Sequence, residues 1–250
     1  METGFETGSS FAHRLDPRAR LLTATAFSLV VALGSRFQAL VPAVCGAVLL
    51  TALAGLPAGR VARRLLVVNG LILLLWLFLP LTAGGRTWFQ VGPFAVAHDG
   101  VAYAARITLK SNAIVLVLIA MVSTMPVHTL GRAMTALGAP PKLVHLLLFT
   151  YRYTHVIEKE YHRLLTAARI RGFRPGTNVH TYRTVARLLG ALLVLGYERG
   201  ERVRAAMLCR GFQGRYHDLT DFEFRAEDAV VSGFLGLGVG IVAFLEWAPR

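Results

Sequence analysis

The stretch Leu65–Gly85 reads LLVVNGLILLLWLFLPLTAGG and lies between Arg64 and Arg86, 21 residues without a charge. A helix needs about 20 mostly apolar residues to cross the hydrocarbon core of a bilayer. Outward from it, the same test finds four more charge-free gaps. Arg36 and Arg60 enclose 23 residues, Lys110 and Arg132 enclose 21, Asp228 and Glu246 enclose 17, and Arg20 and Arg36 enclose 15. The two shorter gaps can extend, because arginine side chains snorkel toward the interface. The pattern predicts an all-α integral membrane protein with about five transmembrane helices.

Composition points the same way. Of 250 residues, 54% are hydrophobic and 16% are charged, and the mean hydropathy is +0.52. Ordinary soluble domains carry about 25% charged residues, so disorder and a simple soluble domain are poor readings. The charge is lopsided: 27 Lys+Arg against 14 Asp+Glu, net +13, with only Lys110, Lys142 and Lys159 among the bases not arginine. Two cysteines, Cys45 and Cys209, exclude a disulfide scaffold or a cysteine-based zinc site. The first twenty residues carry acids before their arginines, unlike the positive start of a secretory signal.

Five spans put the termini on opposite sides, and the charges choose which. With the N-terminus inside, 22 Lys+Arg fall on inner segments and 5 on outer ones: Arg36, Arg86, Arg106, Lys110 and Arg250. The positive-inside rule therefore predicts N-inside and C-outside. It divides the chain into residues 1–124 with four spans, a cytoplasmic segment 125–225, and a last span in 226–250. Within that span, residues 236–240 read Gly-Leu-Gly-Val-Gly. Such a run either lets a second helix approach closely or is a glycine-rich helix without a special partner.

The cytoplasmic segment has 16 basic and 7 acidic residues, too polar to be embedded throughout. Apolar residues nevertheless recur at helical spacing: Val144, Leu147, Leu148 and Tyr151, then Val185, Leu188, Leu189, Leu192 and Leu195. Pro140-Pro141 can open the first helix and Pro175-Gly176 breaks between the two. The uncharged run Leu188–Tyr197, ten residues, is too short to span and suits an interfacial or protein-facing surface. A helical hairpin or cross against the inner membrane face is expected.

That segment echoes itself. Residues 163–173 read RLLTAARIRGF and residues 202–212 read RVRAAMLCRGF. At an offset of 39, Arg163 matches Arg202, Ala167 matches Ala206, and Arg171-Gly172-Phe173 matches Arg210-Gly211-Phe212. One copy reads as a helix cap, with glycine supplying the left-handed conformation and arginine facing the negative helix end. Two copies in register favour paired docking elements, since an arginine tip can enter a pocket and pair with a carboxylate.

The paired pattern resembles the transmembrane T component of energy-coupling factor (ECF) transporters, in which two Ala-Arg-Gly-like motifs end two cytoplasmic coupling helices. Here they stand as Ile170-Arg171-Gly172 and Cys209-Arg210-Gly211, both departing from that motif before the arginine. The opening His13-Arg14-Leu15-Asp16-Pro17-Arg18 is similar to the start of the cobalt branch, the CbiQ proteins. The resemblance covers about His13 to Trp247. It implies a non-catalytic scaffold of an ABC importer in the cell's inner (plasma) membrane. Two cytoplasmic ABC ATPase subunits would carry ATP and Mg, and a separate membrane subunit would capture the cargo, a cobalt ion. The coupling residues carried over are Ile170, Arg171, Gly172, Cys209, Arg210 and Gly211. Ala168, Arg169, Phe173, Met207 and Phe212 are secondary candidates, and Arg169 offers a second cation in the first copy. The resemblance implies no bound cofactor in this chain.

Other chemistry is thinly represented. No Gly-x-x-x-x-Gly-Lys-Ser/Thr and no His-Glu-x-x-His occurs, so ATP chemistry would belong to a partner. His155, Glu158 and His162 share a helix face, and His98-Asp99 fall in an outer loop. Either set could meet a metal but lacks further ligands. The predicted spans hold no clear polar pathway, which favours a transducer over a permease. A rival reading is an integral membrane enzyme whose arginines bind a phosphorylated or lipid substrate, although no base or nucleophile stands out. The positive-inside charge accounts for the basicity without nucleic acid, for which no recognition motif occurs.

Overall fold

The computed structural model describes residues 15–82, 87–91, 94–214 and 226–247. His13, Arg14 and the end of the cytoplasmic segment, 215–225, lie outside the described residues. Eight helices are present among those described. They are α1 (Pro17–Leu33), α2 (Phe37–Leu53), α3 (Ala58–Thr82), α4 (His98–Met121), α5 (Val127–Ala136), α6 (Pro141–Ile170), α7 (Val179–Cys209) and α8 (Ala226–Trp247). One short antiparallel hairpin, β1 (Thr87–Val91) and β2 (Phe94–Ala97), joins α3 to α4, with Val91 opposite Phe94. The described residues form two compact units, one holding α1–α5 with α8, the other α6 and α7.

The first unit is a helical membrane block. α3 and α4 each contain a 23-residue stretch, Ala58–Pro80 and Asp99–Met121, long and apolar enough to cross a bilayer; α2 and Gly236–Trp247 are apolar but shorter. Its core joins Ala24, Phe27 and Val31 of α1, Ala39, Leu40, Ala43 and Ala47 of α2, Leu116, Val117 and Met121 of α4, and Val242 of α8. The alanines of α2 recur every fourth residue on one face. Small side chains let neighbouring backbones approach, which is how helices gain packing where lipid is as apolar as leucine.

α1 starts where its sequence says it should. Asp16 precedes the first turn and accepts a hydrogen bond from the Arg18 amide at 2.8 Å, with Pro17 at the first helical position. An aspartate cap followed by proline is a strong start signal. At the other end of the unit the buried Glu246 carboxylate of α8 accepts from the Ser35 amide at 2.6 Å and the Arg36 amide at 3.0 Å. It thereby ties α8 to the α1–α2 turn.

The fourth span differs from its expected bounds. The charge-free gap 111–131 is not one helix: α4 begins at His98, ends at Met121, and the chain turns before α5 starts at Val127. Counting uncharged residues failed because Arg106 and Lys110, both half-buried, lie within α4 and meet groups of the neighbouring helices. Lys110 Nζ donates to the Ala32 carbonyl at 2.9 Å. The Arg106 guanidinium lies 5.0 Å from the Phe37 ring and 5.5 Å from the Tyr103 ring, within cation–π range. Pro126, which has no N–H to give, caps α5 and ends the gap's claim to continuity.

The spans also carry more polar contact than the sequence suggested. Asn69 and Asn112 exchange two side-chain hydrogen bonds of 3.0 Å between α3 and α4, and Trp76 Nε1 donates to Thr108 Oγ1 at 2.9 Å. These bonds close on one another across a helix interface and act as glue. The glycine run of α8 mediates no close packing among the described residues: a Cβ at Gly236, Gly238 or Gly240 would meet none of their atoms within 4 Å. Cys45 and Cys209 are both exposed free thiols.

Candidate functional site

The second unit is built from two long helices, α6 of 30 residues and α7 of 31. α6 begins at Pro141 directly after Pro140, as the proline pair predicts. α7 begins after Asn178, whose Oδ1 accepts from the Thr181 amide at 2.7 Å, while Thr181 Oγ1 accepts from the Gly176 amide at 3.1 Å. The Pro175-Gly176 break is therefore a structured cap.

The helices cross antiparallel. Phe149 and Tyr153 of α6 line a cleft of about 650 Å³ with Val203, Met207 and Phe212. Further along α6, Glu160 and Arg163 face Leu192 and Leu195. Of the expected α7 stripe, Leu188, Leu192 and Leu195 are half-buried, whereas Val185 and Leu189 are exposed. The end of α7 thus lies beside the first half of α6. Arg171 lies eighteen residues beyond Tyr153, about 27 Å along the α6 axis at 1.5 Å per residue. The two Arg-Gly-Phe ends project to opposite sides of the crossing.

Their closing hydrogen bonds match pair by pair. Gly172 N–H donates to the Arg169 carbonyl at 3.0 Å and Phe173 N–H to the Ala168 carbonyl at 3.1 Å. Gly211 N–H donates to the Leu208 carbonyl at 3.0 Å and Phe212 N–H to the Met207 carbonyl at 3.1 Å. This is the Schellman pattern, which needs a left-handed residue after the helix. Gly172 at φ +87° and Gly211 at φ +78° supply it. The phenylalanines that follow differ in their surroundings. Phe173 is buried, its ring 6.5 Å from that of His180; Phe212 is half-buried in the cleft with Met207.

Everything that could meet a partner points outward. Arg169, Ile170, Arg171 and Gly172 are exposed, as are Cys209, Arg210 and Gly211. Ile170 is 83% exposed, so the position before each arginine is not packed in this chain and accepts isoleucine or cysteine in place of alanine. Ala168 and Met207 are half-buried. Neighbouring arginines have local acids: Arg163 lies 3.7 Å from Glu160, Arg202 3.6 Å from Glu198, and Arg204 3.7 Å from Glu201. Among the described residues neither the Arg171 nor the Arg210 guanidinium has an ion-pair partner. Sequence reasoning missed the cleft beside Arg210; the i,i+4 pair Phe149–Tyr153, ring centroids 6.1 Å apart, was its available signal.

No metal cluster forms at the expected alternatives. Glu158 sits 3.7 Å from His155, and no group of three His, Cys, Asp or Glu that could hold a metal occurs among the described residues. Asp99 lies in the first turn of α4, where a carboxylate complements the helix dipole.

An all-α membrane block and two crossed helices with matched Arg-Gly-Phe ends define a class by fold, a helical membrane protein. The family described as cobalt transport protein, CbiQ, matches residues 8–220. The chain therefore belongs to that family, the transmembrane T components of ECF transporters. It is similar to the energy-coupling factor transporter transmembrane protein EcfT of Brevibacillus brevis, 27% identical over 83% of this chain and 82% of the relative. The protein of the same name from Thermosediminibacter oceani is 22% identical over 93% and 91%. The cobalt transport protein CbiQ of Rhodobacter capsulatus is 28% identical over 52% and 54%.

Proposed function

We propose that this T component is the scaffold and energy-transducing subunit of an ECF-type ABC importer. It couples ATP hydrolysis in two cytoplasmic ABC ATPase subunits to uptake of a cobalt ion captured by a separate membrane subunit. ATP and Mg belong to the ATPases; this chain binds no cofactor. The observation that carries the reading is the pair of helix ends closed by the same hydrogen bonds, each presenting an exposed arginine without an ion-pair partner among the described residues. The register between the copies selects the docking cation: Arg171 corresponds to Arg210, whereas Arg169 corresponds to the apolar Leu208. Two tips on opposite sides of a crossing suit two separate grooves. Cobalt as cargo is supported by the family's description and by the Rhodobacter relative's name.

In this reading the chain crosses the inner (plasma) membrane five times, N-terminus inside and C-terminus outside, with 125–225 as the cytoplasmic coupling segment. Coexpression with candidate ATPase and capture subunits tests the assignment. Both ATPases should copurify from detergent, and cells with the full set should take up radiolabelled cobalt in preference to nickel or vitamins. Uptake by this chain alone would contradict it. A cysteine at Ala58 should resist external labelling and one at Trp88 should accept it; the reverse pattern would overturn the orientation.

A further inference from the structure

The turn between α4 and α5 is held from two sides by arginines of other helices. Arg20 of α1 is 3% exposed. One of its terminal nitrogens, Nη2, donates to the carbonyl of Met121, the last residue of α4, at 2.7 Å, and to Thr124 Oγ1. Thr124 is itself fully buried and donates back to the Ala120 carbonyl at 3.0 Å. From α3, Arg64 Nη1 donates to Ser123 Oγ at 2.9 Å. Two bases that the charge count assigned to the inner membrane face thus converge on residues 121–124.

The chemistry of Arg20 is unusual. A buried guanidinium is normally paired with a carboxylate, because an unpaired buried charge is costly. Among the described residues Arg20 has no ion-pair partner. What it meets is the C-terminal end of α4, where carbonyls lack helical partners and the dipole is negative. Arg20 therefore acts as a C-cap supplied by a different helix. α1 packs against both α4 and α5, so a cap borne on α1 fixes the turn relative to the helices on either side.

We propose that Arg20 and Arg64 are positioning residues that clamp the α4–α5 turn, so that displacement of the coupling segment moves the membrane helices instead of fraying the end of α4. The proposal rests on the coupling role given above for its functional half. The bonds that the clamp protects are Val122 N–H and Ser123 N–H to the Leu118 carbonyl, at 2.9 and 3.0 Å, and Met125 N–H to the Val122 carbonyl at 3.0 Å.

Hydrogen exchange on the full chain in detergent tests the clamp directly. Arg20→Gln should speed exchange of a peptide covering 118–128 by about tenfold or more, the effect of losing a charge-assisted hydrogen bond on local opening. Peptides covering 166–173 and 203–212 should not change. Where Arg20→Gln fails to insert, Thr124→Val and Ser123→Ala keep both arginines and remove the two hydroxyls that they meet, the Thr124 bond to the Ala120 carbonyl included, and together should give severalfold faster exchange. Arg20→Lys should recover part of the protection. In the assembled complex, the acceptor variants should retain the ATPases yet take up less radiolabelled cobalt per ATP hydrolysed. Unchanged exchange in Thr124→Val/Ser123→Ala, or faster exchange with an unchanged cobalt-to-ATP ratio, overturns the proposal. A wild-type chain that captures no ATPase defeats the coupling reading instead, and the exchange result still decides whether the clamp exists.

Discussion

Gly172 and Gly211 stand at φ +87° and +78°, a region that costs an L-residue about 1–2 kcal/mol. Alanine at either position keeps the neighbouring arginine but strains the helix end that presents it. Hydrogen exchange at the Phe173 and Phe212 amides should accelerate in Gly172→Ala and Gly211→Ala respectively, with the membrane block unchanged. Unaltered protection would mean that the left-handed cap does not hold the tip. At this scale the motif was legible in two ways. Arg-Gly-Phe could be read as a cap, and the hydrogen bonds bear that out. Its repetition at 39 residues pointed to docking, and the exposed arginines, without an ion-pair partner among the described residues, support it. The Arg20–Thr124 contact was not legible, because partners about a hundred residues apart leave no spacing signal.

At the scale of elements, α6 was readable from Pro140-Pro141 and α7 from the Pro175-Gly176 break, since proline and glycine act locally. α4 was not. Charge-free length locates a helix only when charges must face water, and Arg106 and Lys110 find an aromatic ring and a carbonyl instead. The same block hides polar groups that a hydropathy scan passes over. Asn69 and Asn112 satisfy each other, so Asn69→Leu or Asn112→Leu alone leaves an amide in hydrocarbon without its partner. A double-mutant cycle by denaturant unfolding should give a coupling energy of about 0.6 kcal/mol, up to about 1.7. The double leucine variant should recover part of either single loss. Strict additivity would show that the reciprocal bonds contribute nothing as a pair.

At the scale of the whole molecule, the described residues form two units with different physics. One is a block of apolar helices closed by buried contacts such as Glu246 with the α1–α2 turn. The other is a pair of helices about 45 Å long, with the second half of α7 beside the first half and middle of α6, ending in matched cationic tips. No catalytic constellation was expected in either, and the relatives are named as transporter membrane proteins. In the proposed reading the division of labour is mechanical: partners hydrolyse ATP, and this chain carries the motion.

The central claim is that Arg171 and Arg210 are the points at which that motion enters. Truncating one member of a desolvated charge pair costs roughly 2–5 kcal/mol, because its partner stays buried and unpaired, whereas losing a favourable contact with a helix dipole costs about 0.3–1 kcal/mol. The decisive measurement is copurification of the ATPases together with radiolabelled cobalt uptake by the Arg171→Ala/Arg210→Ala double variant, with membrane insertion verified. Each single change should weaken assembly or uptake, lysine should rescue only in part for want of the planar fork, and the double change should lose both ATPases or uncouple their hydrolysis from uptake. A double variant that inserts, keeps both ATPases and transports at the unmutated rate would reduce the two arginines to helix-end charges and contradict the account.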